Sequence, residues 1–322
     1  MRGSRLNASD PLKVVIAGGS GLIGRRIARS LLADGHAVAV LTRSPERNGA
    51  RLPGGAVAIR WSARVDDALV ATLDGVDAVV NLAGEAIGPR PWILGRKKTL
   101  IDSRLRATEA LVEAIRRLPE DHRPRVLVNA SGTDVYTGLE AEPATETTPE
   151  VGGFLAELGI AWEAAAIAAE ELGTRVAFVR TAFVLATEAP LFGLLRLPFR
   201  LFVGGRLGSG RQWFSWVHIE DLVGIYRLAI DDERVHGPII AASPDPIRQG
   251  EFARALGRAM RRPAWFPVPA LLLRLAMREQ ATLIVDSRRV APARAIELGY
   301  RHRFPTLDAA LIDIEGSARR AP

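Results

Sequence analysis

Three glycines at three-residue spacing lie near the N-terminus, between an apolar run and an amphipathic segment. The segment reads Gly18-Gly19-Ser20-Gly21-Leu22-Ile23-Gly24. Glycines at this spacing permit a tight turn and let the backbone approach a pyrophosphate. The following helix would present unpaired N–H groups and the positive end of its dipole to that anion. We therefore predict a dinucleotide-binding turn; the alternative is a tight turn that binds no ligand.

The end of the second apolar run discriminates between cofactors. No acidic residue occurs between Ala37 and Pro45, and the run leads into Thr42, Arg43 and Ser44. NAD sites usually place a carboxylate here to bind the ribose hydroxyls, whereas a guanidinium and hydroxyls suit a 2′-phosphate. The sequence therefore favours NADP over NAD, unless Arg43 is merely a surface arginine.

Alternating strands and helices must position these residues. Apolar runs predict strands at 13–17, 36–41, 57–61, 76–82, 125–129 and 175–180, and helical spacing predicts helices at 22–33, 66–73, 99–118 and 154–172. This alternation is typical of a parallel sheet covered by helices on both faces. The fold class is therefore α/β, a Rossmann-type doubly wound parallel sheet.

The second half is less regular and predicts a smaller C-terminal substrate lobe. We expect a loop at 204–210, helices at 220–230 and 248–260, a strand at 238–242, and a helical region with a final strand pair at 263–311. The predicted domains are 13–240, a Rossmann domain carrying part of the substrate cleft at 185–220, and 241–314, the small lobe. The ends, 1–12 and 315–322, are expected to be flexible.

Several motifs together resemble the extended short-chain dehydrogenase/reductase superfamily. They are the glycine turn, Asn81-Leu82-Ala83-Gly84, the run at 131–138, RTAFVL at 180–185 and GSGRQWFSWVHIEDLV at 208–223. More narrowly, the chain is similar to the atypical, sugar-nucleotide-epimerase-like subgroup that carries a C-terminal domain of unknown function. The resemblance implies a Rossmann-type fold, NADP binding in which Asn81 to Gly84 take part, and a substrate lobe in the second half.

The catalytic pair of that superfamily is missing. Its members typically carry Tyr-x-x-x-Lys on the helix that corresponds to 153–172, where the lysine lowers the pKa of the tyrosine. That segment contains neither residue type here, and the usual positions hold apolar residues or glycine around Leu155 and Gly159. Acid–base chemistry through that pair is therefore excluded.

Other polar residues remain at the expected reaction site. Ser131 and Thr133 flank Gly132, which stands at the usual serine position of the resemblance, and either hydroxyl would suit a substrate carbonyl. Tyr136 is a candidate proton donor, although a packed turn residue is the alternative. Glu85 follows the fourth strand, where ligands of parallel sheets bind, and is either a base or a loop-capping carboxylate.

Basic and aromatic residues indicate a substrate cleft. Arg104 suits a carboxylate or phosphate, or else pairs with Glu85 or Asp102, and the other candidates are Arg211, Gln212 and Trp213. His218 has no second ligand at metal-binding spacing, so we expect no metal, and it is expected to cap the next helix with Asp221. The substrate is then a small polar or nucleotide-linked molecule.

Composition limits the remaining function classes. The chain of 322 residues has 43 basic and 36 acidic residues, a net charge of +7 and no cysteine. The arginines are scattered among acids, and no apolar span reaches the ~20 residues of a membrane helix, so we expect neither nucleic acid nor membrane as a partner. A cytoplasmic protein is expected, and the Ala-rich segment 161–169 is compatible with a homodimer.

Two functions remain open at this point. The first is an NADP-dependent oxidoreductase or epimerase-like enzyme with an unusual proton donor. The second is a non-catalytic NADP-binding sensor or regulatory protein. The missing Tyr-x-x-x-Lys pair favours the sensor, and the polar cleft residues favour the enzyme.

Overall fold

A parallel sheet of seven strands forms the centre of the computed structural model, which describes residues 10–88, 92–138 and 140–320. The strands are β1 Lys13–Ala17, β2 Ala37–Thr42, β3 Val57–Arg60, β4 Ala78–Asn81, β5 Val126–Gly132, β6 Arg175–Thr181, β7 Phe183–Leu185, β8 Trp213–Phe214, β9 Trp216–His218, β10 Gly237–Ala241 and β11 Ile247–Arg248. The sheet order is β10-β6-β5-β4-β1-β2-β3. This is the doubly wound Rossmann order. The chain builds the sheet toward one edge from β1 to β3 and toward the other edge from β4 onward, so the order of the strands reverses between β1 and β4.

Helices cover both faces of the sheet. They are α1 Leu22–Ala33, α2 Pro45–Asn48, α3 Asp67–Leu73, α4 Leu94–Arg117, α5 Phe154–Ile167, α6 Pro190–Arg200, α7 Ile219–Asp231, α8 Gln249–Met260, α9 Ala270–Met277, α10 Thr282–Val285, α11 Ala293–Glu297 and α12 Leu307–Arg320. Successive side chains of one strand face opposite cores, as the strand period of two requires. Val14 and Ile16 of β1 pack in one core and Val15 in the other. The predicted fold class is confirmed.

Most predicted elements agree with the structure to within a few residues, and α6 is the main omission. The apolar segment from Leu191 contains Pro198, which argues against a helix interior. The helix nevertheless forms because Pro198 lies in its last turn, and Leu201 ends it.

The C-terminal lobe differs from the prediction in its strands. Within the described part of the chain, 263–311 forms no strand pair. It meets earlier segments through single bridges, at Ala264, Val268, Arg288 and Val290. Prolines such as Pro267 and Pro269 lack an N–H group and interrupt a continuous ladder.

The C-terminal end also differs from the prediction. Residues 315–320 were expected to be flexible, but α12 continues to Arg320, and Glu315 forms a buried ion pair with Arg196 at 2.9 Å. Residues 1–9 and 321–322 lie outside the described part. No helix in the described ranges is long and apolar enough to cross a membrane.

Candidate functional site

The glycine turn lies at the carboxyl end of β1, beside the point where the sheet order reverses. Gly18 has a φ of +73°, and a Cβ atom there would lie 2.8 Å from the carbonyl oxygen of Leu82. A Cβ atom on Gly24 would lie 2.4 Å from the Cα atom of Gly19. Both positions therefore exclude side chains, and the turn is as tight as a backbone cradle requires.

The N-terminus of α1 faces out of this turn with free donors. Gly21 is its N-cap, and among the described residues no side chain caps the helix and no acid lies in its first turn. The N–H groups of Leu22, Ile23 and Gly24 thus begin an uncapped helix, and Arg25 fixes the turn by donating to the carbonyl oxygen of Ser20 at 2.8 Å. The residues present fit a pyrophosphate.

The last residue of β2 and the two residues that follow it have different roles. Thr42 is buried and accepts a hydrogen bond from Asn48 at 2.7 Å, so its hydroxyl stabilises the turn. The side chain of Arg43 is 81% exposed and lies 3.4 Å from a Glu85 carboxylate oxygen. Ser44 precedes α2 as its N-cap. Arg43 and Ser44 are therefore the groups available to a 2′-phosphate.

A buried polar network holds the end of β4. The Asn81 amide donates to Thr108 at 2.8 Å and to Asn129 at 2.7 Å, and its oxygen accepts from the N–H of Ala83. Trp162 donates to the same Thr108 hydroxyl at 3.0 Å. Asn81 thus shapes the backbone of Leu82, Ala83 and Gly84.

Glu85 is held between two arginines. Its carboxylate oxygens lie 3.4 Å from Arg43 and 3.3 Å from Arg96, and its N–H donates to Ser103 at 3.1 Å. Both carboxylate oxygens therefore already have guanidinium partners within the loop. The geometry favours the loop-stabilising alternative.

Arg104 is buried without an acidic partner. Arg104 is 6% exposed, and its Nη1 donates to the carbonyl oxygens of Leu100 and Glu85. Its Nε has no hydrogen-bond partner in the described ranges. No carboxylate among the described residues lies within 4.0 Å of it. Burial, followed by the nearby charge of Arg96, lowers the pKa of Arg104 to about 10. Its guanidinium carbon lies 4.9 Å from the Trp162 ring, and the charge of Glu85 offsets part of the cost of burial. A Cβ atom on Gly84 would lie 3.0 Å from the Arg104 side chain, so this cation without a carboxylate in contact lies beside the predicted cofactor loop.

Ser131 belongs to a second buried network. Its hydroxyl donates to Glu163 at 2.6 Å, and Glu163 accepts two further bonds from Arg180, at 2.9 Å and 2.7 Å. Arg180 also pairs with Glu150 at 2.6 Å. The Ser131 hydroxyl therefore already has an internal carboxylate acceptor, which the sequence did not reveal.

Tyr136 and Thr133 are both buried. The Tyr136 hydroxyl accepts a hydrogen bond from Arg180, and burial raises the pKa of Tyr136. Thr133 donates to the carbonyl oxygen of Thr181 at 3.5 Å. A fully buried phenol with a raised pKa is a poor proton donor near neutral pH, so the geometry favours the packed-turn alternative for Tyr136.

The helix face that would carry Tyr-x-x-x-Lys is apolar. Leu155 is buried in a cluster with Trp92 and Leu100. A Cβ atom on Gly159 would lie 3.1 Å from Val135 and 3.7 Å from the Ser131 oxygen, so α5 packs closely on β5.

A small charged pocket of about 80 Å³ opens beside Leu155. Asp134 pairs there with Arg288 at 3.0 Å, and burial raises the pKa of the neighbouring Asp286. The sequence analysis treated Asp134 as a turn residue and did not identify Asp286 or Arg288. No local signal marks them, because the contact joins residues far apart in the chain.

The remaining predicted substrate residues lie around a separate, larger pocket. Arg211 lines a pocket of about 630 Å³ with Arg248 and Arg254. The Gln212 amide is engaged by Leu207 at 2.8 Å and by Ile284 and Ser209, so it holds the loop in place. The structure does not bring Arg104 and Arg211 into one cluster.

Trp213 lies between two cations. The guanidinium carbon of Arg248 is 3.7 Å and that of Arg289 is 4.2 Å from the indole ring. These contacts account for its position without a ligand.

The predicted role of His218 as a helix cap agrees with the structure. Its Nδ1 accepts from the N–H of Glu220 at 3.2 Å, while Asp221 accepts from the N–H groups of Arg303 and Phe304. No group of three or more potential metal ligands occurs in the described ranges.

Comparison with known proteins gives matches over nearly the whole chain. The profile of the NAD dependent epimerase/dehydratase family matches residues 14–241, and a domain of unknown function (DUF1731) matches 268–314. Epimerase family protein SDR39U1 of Bos taurus is 37% identical over 310 residues, covering 94% of this chain and 99% of the relative. A chloroplastic homolog from Arabidopsis thaliana is 36% identical over 307 residues, covering 93% and 86%.

Solved structures agree with these matches. The crystal structure of human epimerase family protein SDR39U1 (isoform2) with NADPH has a TM-score of 0.83 and 34% identity, covering 95% of this chain and 99% of that one. A nucleoside-diphosphate sugar epimerase from Corynebacterium glutamicum has a TM-score of 0.75 and 31% identity, covering 96% and 59%.

Proposed function

Because the chain belongs to the NAD dependent epimerase/dehydratase family and carries the fold of an atypical extended short-chain dehydrogenase/reductase, we propose that its nicotinamide cofactor is NADP(H). The observation that carries this proposal is the end of β2, where Arg43 is exposed and no acid occurs between Ala37 and Pro45. The NADPH in the human relative supports it.

The chain's own groups account for binding. The turn from Gly18 to Gly24 and the uncapped N-terminus of α1 hold the pyrophosphate. Arg43 and Ser44 hold the 2′-phosphate, for which Arg43 exchanges its weak contact with Glu85. The backbone from Leu82 to Gly84 forms the opposite wall. The bound cofactor supplies hydride chemistry, and the protein supplies orientation and charge.

Titration with NADPH and NADH tests the cofactor. Arg43→Ala removes one charge-assisted contact, worth roughly 1.5–3 kcal/mol, so NADPH should bind about tenfold to a hundredfold more weakly. NADH affinity should not change. Arg29→Ala, an exposed arginine of α1, is the matched control. Failure of both nucleotides to bind contradicts the proposal, and equal weakening by both variants contradicts the role of Arg43.

We propose further that the protein is an oxidoreductase or epimerase-like enzyme for a small polar or nucleotide-linked substrate with an anionic group. Arg104 supports this, since a buried cation without a carboxylate is costly unless an anion binds to it. Such a reaction cannot use Tyr-x-x-x-Lys. Ser131 donates to Glu163, and Thr133 donates to the carbonyl oxygen of Thr181. Tyr136 is buried and Glu85 is paired, so water reaching the cleft is left as the proton source.

A non-catalytic NADP(H)-binding sensor is the second candidate, and Leu155 and Gly159 in place of the catalytic pair favour it. NADPH oxidation with a panel of carbonyl compounds and nucleotide sugars separates the two. Turnover that Arg104→Met reduces supports the enzyme. Tight NADPH binding without turnover on any of these substrates supports the sensor.

A homodimer remains a proposal. Ile160 and Ile167 of α5 are exposed, whereas Ala166 and Ala169, the latter just beyond the helix, pack in the core. Only part of the Ala-rich segment is therefore on the surface, where a second copy could contact it. If α5 forms the interface, Ile160→Arg should convert a dimer to a monomer in analytical ultracentrifugation. A wild-type monomer at all concentrations contradicts it.

A further inference from the structure

An apolar surface on the C-terminal half is exposed although it consists of large side chains. Its members lie on the loop after α6, on the segment before α9 and on α9 itself. We call this set the apolar face: Leu201, Phe202, Val203, Trp265, Phe266, Leu271, Leu272 and Leu275. Contiguous patches of this kind on soluble proteins mark interaction sites.

Hydrogen bonds to backbone oxygens join the loop after α6 to the segment before α9. Trp265 donates from its indole nitrogen to the carbonyl oxygen of Phe202 at 3.0 Å, and the N–H of Phe266 donates to Gly204 at 3.1 Å. Val268 donates to Arg206 at 2.9 Å, and α9 begins two residues later. The aromatic rings are therefore presented on a fixed support.

Backbone strain is concentrated on this support. Phe202, a member of the apolar face, has a φ of +64°, and the C-cap residues of α8 and α9, Arg261 and Arg278, have φ values of +56° and +52°. Left-handed backbone is costly for a bulky side chain, and such strain persists mainly where function requires it. The Phe202 residue is 55% exposed, and the guanidinium carbon of Arg262 lies 4.4 Å from its ring.

Basic residues dominate around the apolar face, although Asp286 lies within electrostatic reach of Arg274. No acidic residue occurs between Glu188 and Glu220 or between Glu251 and Glu279, the two stretches that form it. Arg200, Arg261, Arg262, Arg274 and Arg278 are exposed there. The acid at the end of α9, Glu279, is paired with Lys97 at 2.5 Å.

We propose that the apolar face docks on an anionic lipid bilayer. Aliphatic and aromatic side chains enter the boundary between headgroups and acyl chains, while arginines contact lipid phosphates. A second copy fits poorly, since a two-fold interface would oppose arginines with arginines. Single-stranded nucleic acid fits less well, because leucine and valine do not stack on bases. The sequence-based expectation of no membrane partner rests on arginines scattered among acids and on the lack of a spanning segment. The second ground does not bear on surface contact, and our proposal departs from the first because the arginines named here are exposed beside one apolar face.

Vesicle flotation of the full chain is the test. Binding is expected to equimolar phosphatidylcholine and phosphatidylglycerol, to be much weaker on phosphatidylcholine alone, and to decrease with salt. Arg274→Gln should weaken binding to the anionic vesicles about fivefold, since each basic residue near such a surface contributes about that factor.

Two variants separate docking from folding. Phe202→Gly removes an anchor and relieves the left-handed backbone, so lipid affinity should fall about tenfold while the melting temperature stays or rises. Leu275→Gln should also weaken binding about tenfold. Ile312→Gln on α12 is its control, because Leu275 and Ile312 are both 70% exposed.

Four results would overturn the proposal. The first is no binding of the full chain to anionic vesicles. The second is that Ile312→Gln weakens lipid binding as much as Leu275→Gln, and the third is that Phe202→Gly binds lipid as tightly as the parent. The fourth is that the same variants abolish an oligomer or an oligonucleotide complex while lipid binding is unchanged.

Discussion

Substitution by methionine should destabilise the protein at one buried arginine and leave its stability almost unchanged at another. Arg180 gives hydrogen bonds to Glu163, Glu150 and Tyr136. Arg180→Met would leave the charge of Glu163 buried without a cationic partner, with only the Ser131 hydroxyl donating to it, which costs about 3–5 kcal/mol. At roughly 2 °C per kcal/mol for a chain of this size, the melting temperature should fall by about 6–10 °C.

Arg104→Met should leave the stability almost unchanged. Burial lowers the pKa of Arg104 to about 10, so the charged form costs the fold roughly 3 kcal/mol. Methionine removes that cost but gives up bonds to the carbonyl oxygens of Leu100 and Glu85, each worth ~1 kcal/mol. The melting temperature should stay within about 3 °C of the parent.

Thermal unfolding by circular dichroism, with and without NADPH, measures both variants. Arg180→Met with Glu163→Gln should recover part of the lost stability, because the unpaired charge is then absent. If Arg104→Met is as destabilising as Arg180→Met, Arg104 stabilises the fold, and the inference that it binds an anionic group of the substrate is refuted.

Two other substitutions and one truncation test other parts of the structure. Gly24→Ala, whose Cβ would lie 2.4 Å from the turn, should reduce NADPH affinity at least tenfold, whereas Gly95→Ala, with open space around it, should not. Burial lowers the pKa of His218, so its neutral form stabilises the fold above about pH 6.5 and this stability is lost as pH falls through the lowered pKa. Melting curves of His218→Asn should therefore depend less on pH between about 5 and 7. Removing the chain from Glu315 onward should cost about 3–5 kcal/mol in urea unfolding, since buried Arg196 loses its partner.

Local patterns made the sheet and the glycine turn predictable. Each parallel strand is a short apolar run, and Gly18 to Gly24 form their turn from neighbouring residues alone. The same holds for the His218 cap, whose acceptor and donor are two positions apart.

Contacts between distant segments could not be predicted in the same way. Ser131 meets Glu163 across 32 positions, and Asp134 meets Arg288 from the C-terminal lobe. A sequence shows that these residues are polar but not which of them neutralise each other. The roles assigned to Glu85, Ser131 and Tyr136 therefore stay predictions that the buried contacts make less favourable.

The single bridges of the C-terminal lobe have a consequence for biosynthesis. Arg289 donates to the carbonyl oxygen of Ala141, and the N–H of Arg294 donates to Glu146, each across 148 positions. Contacts of such high sequence separation form late, because a long loop must close first. While the ribosome completes the last part of the chain, the sheet can already have formed. Glu146 and Trp213 then lack their contacts with Arg294 and Arg289. Translational pauses in that interval would prolong exposure to chaperones and proteases.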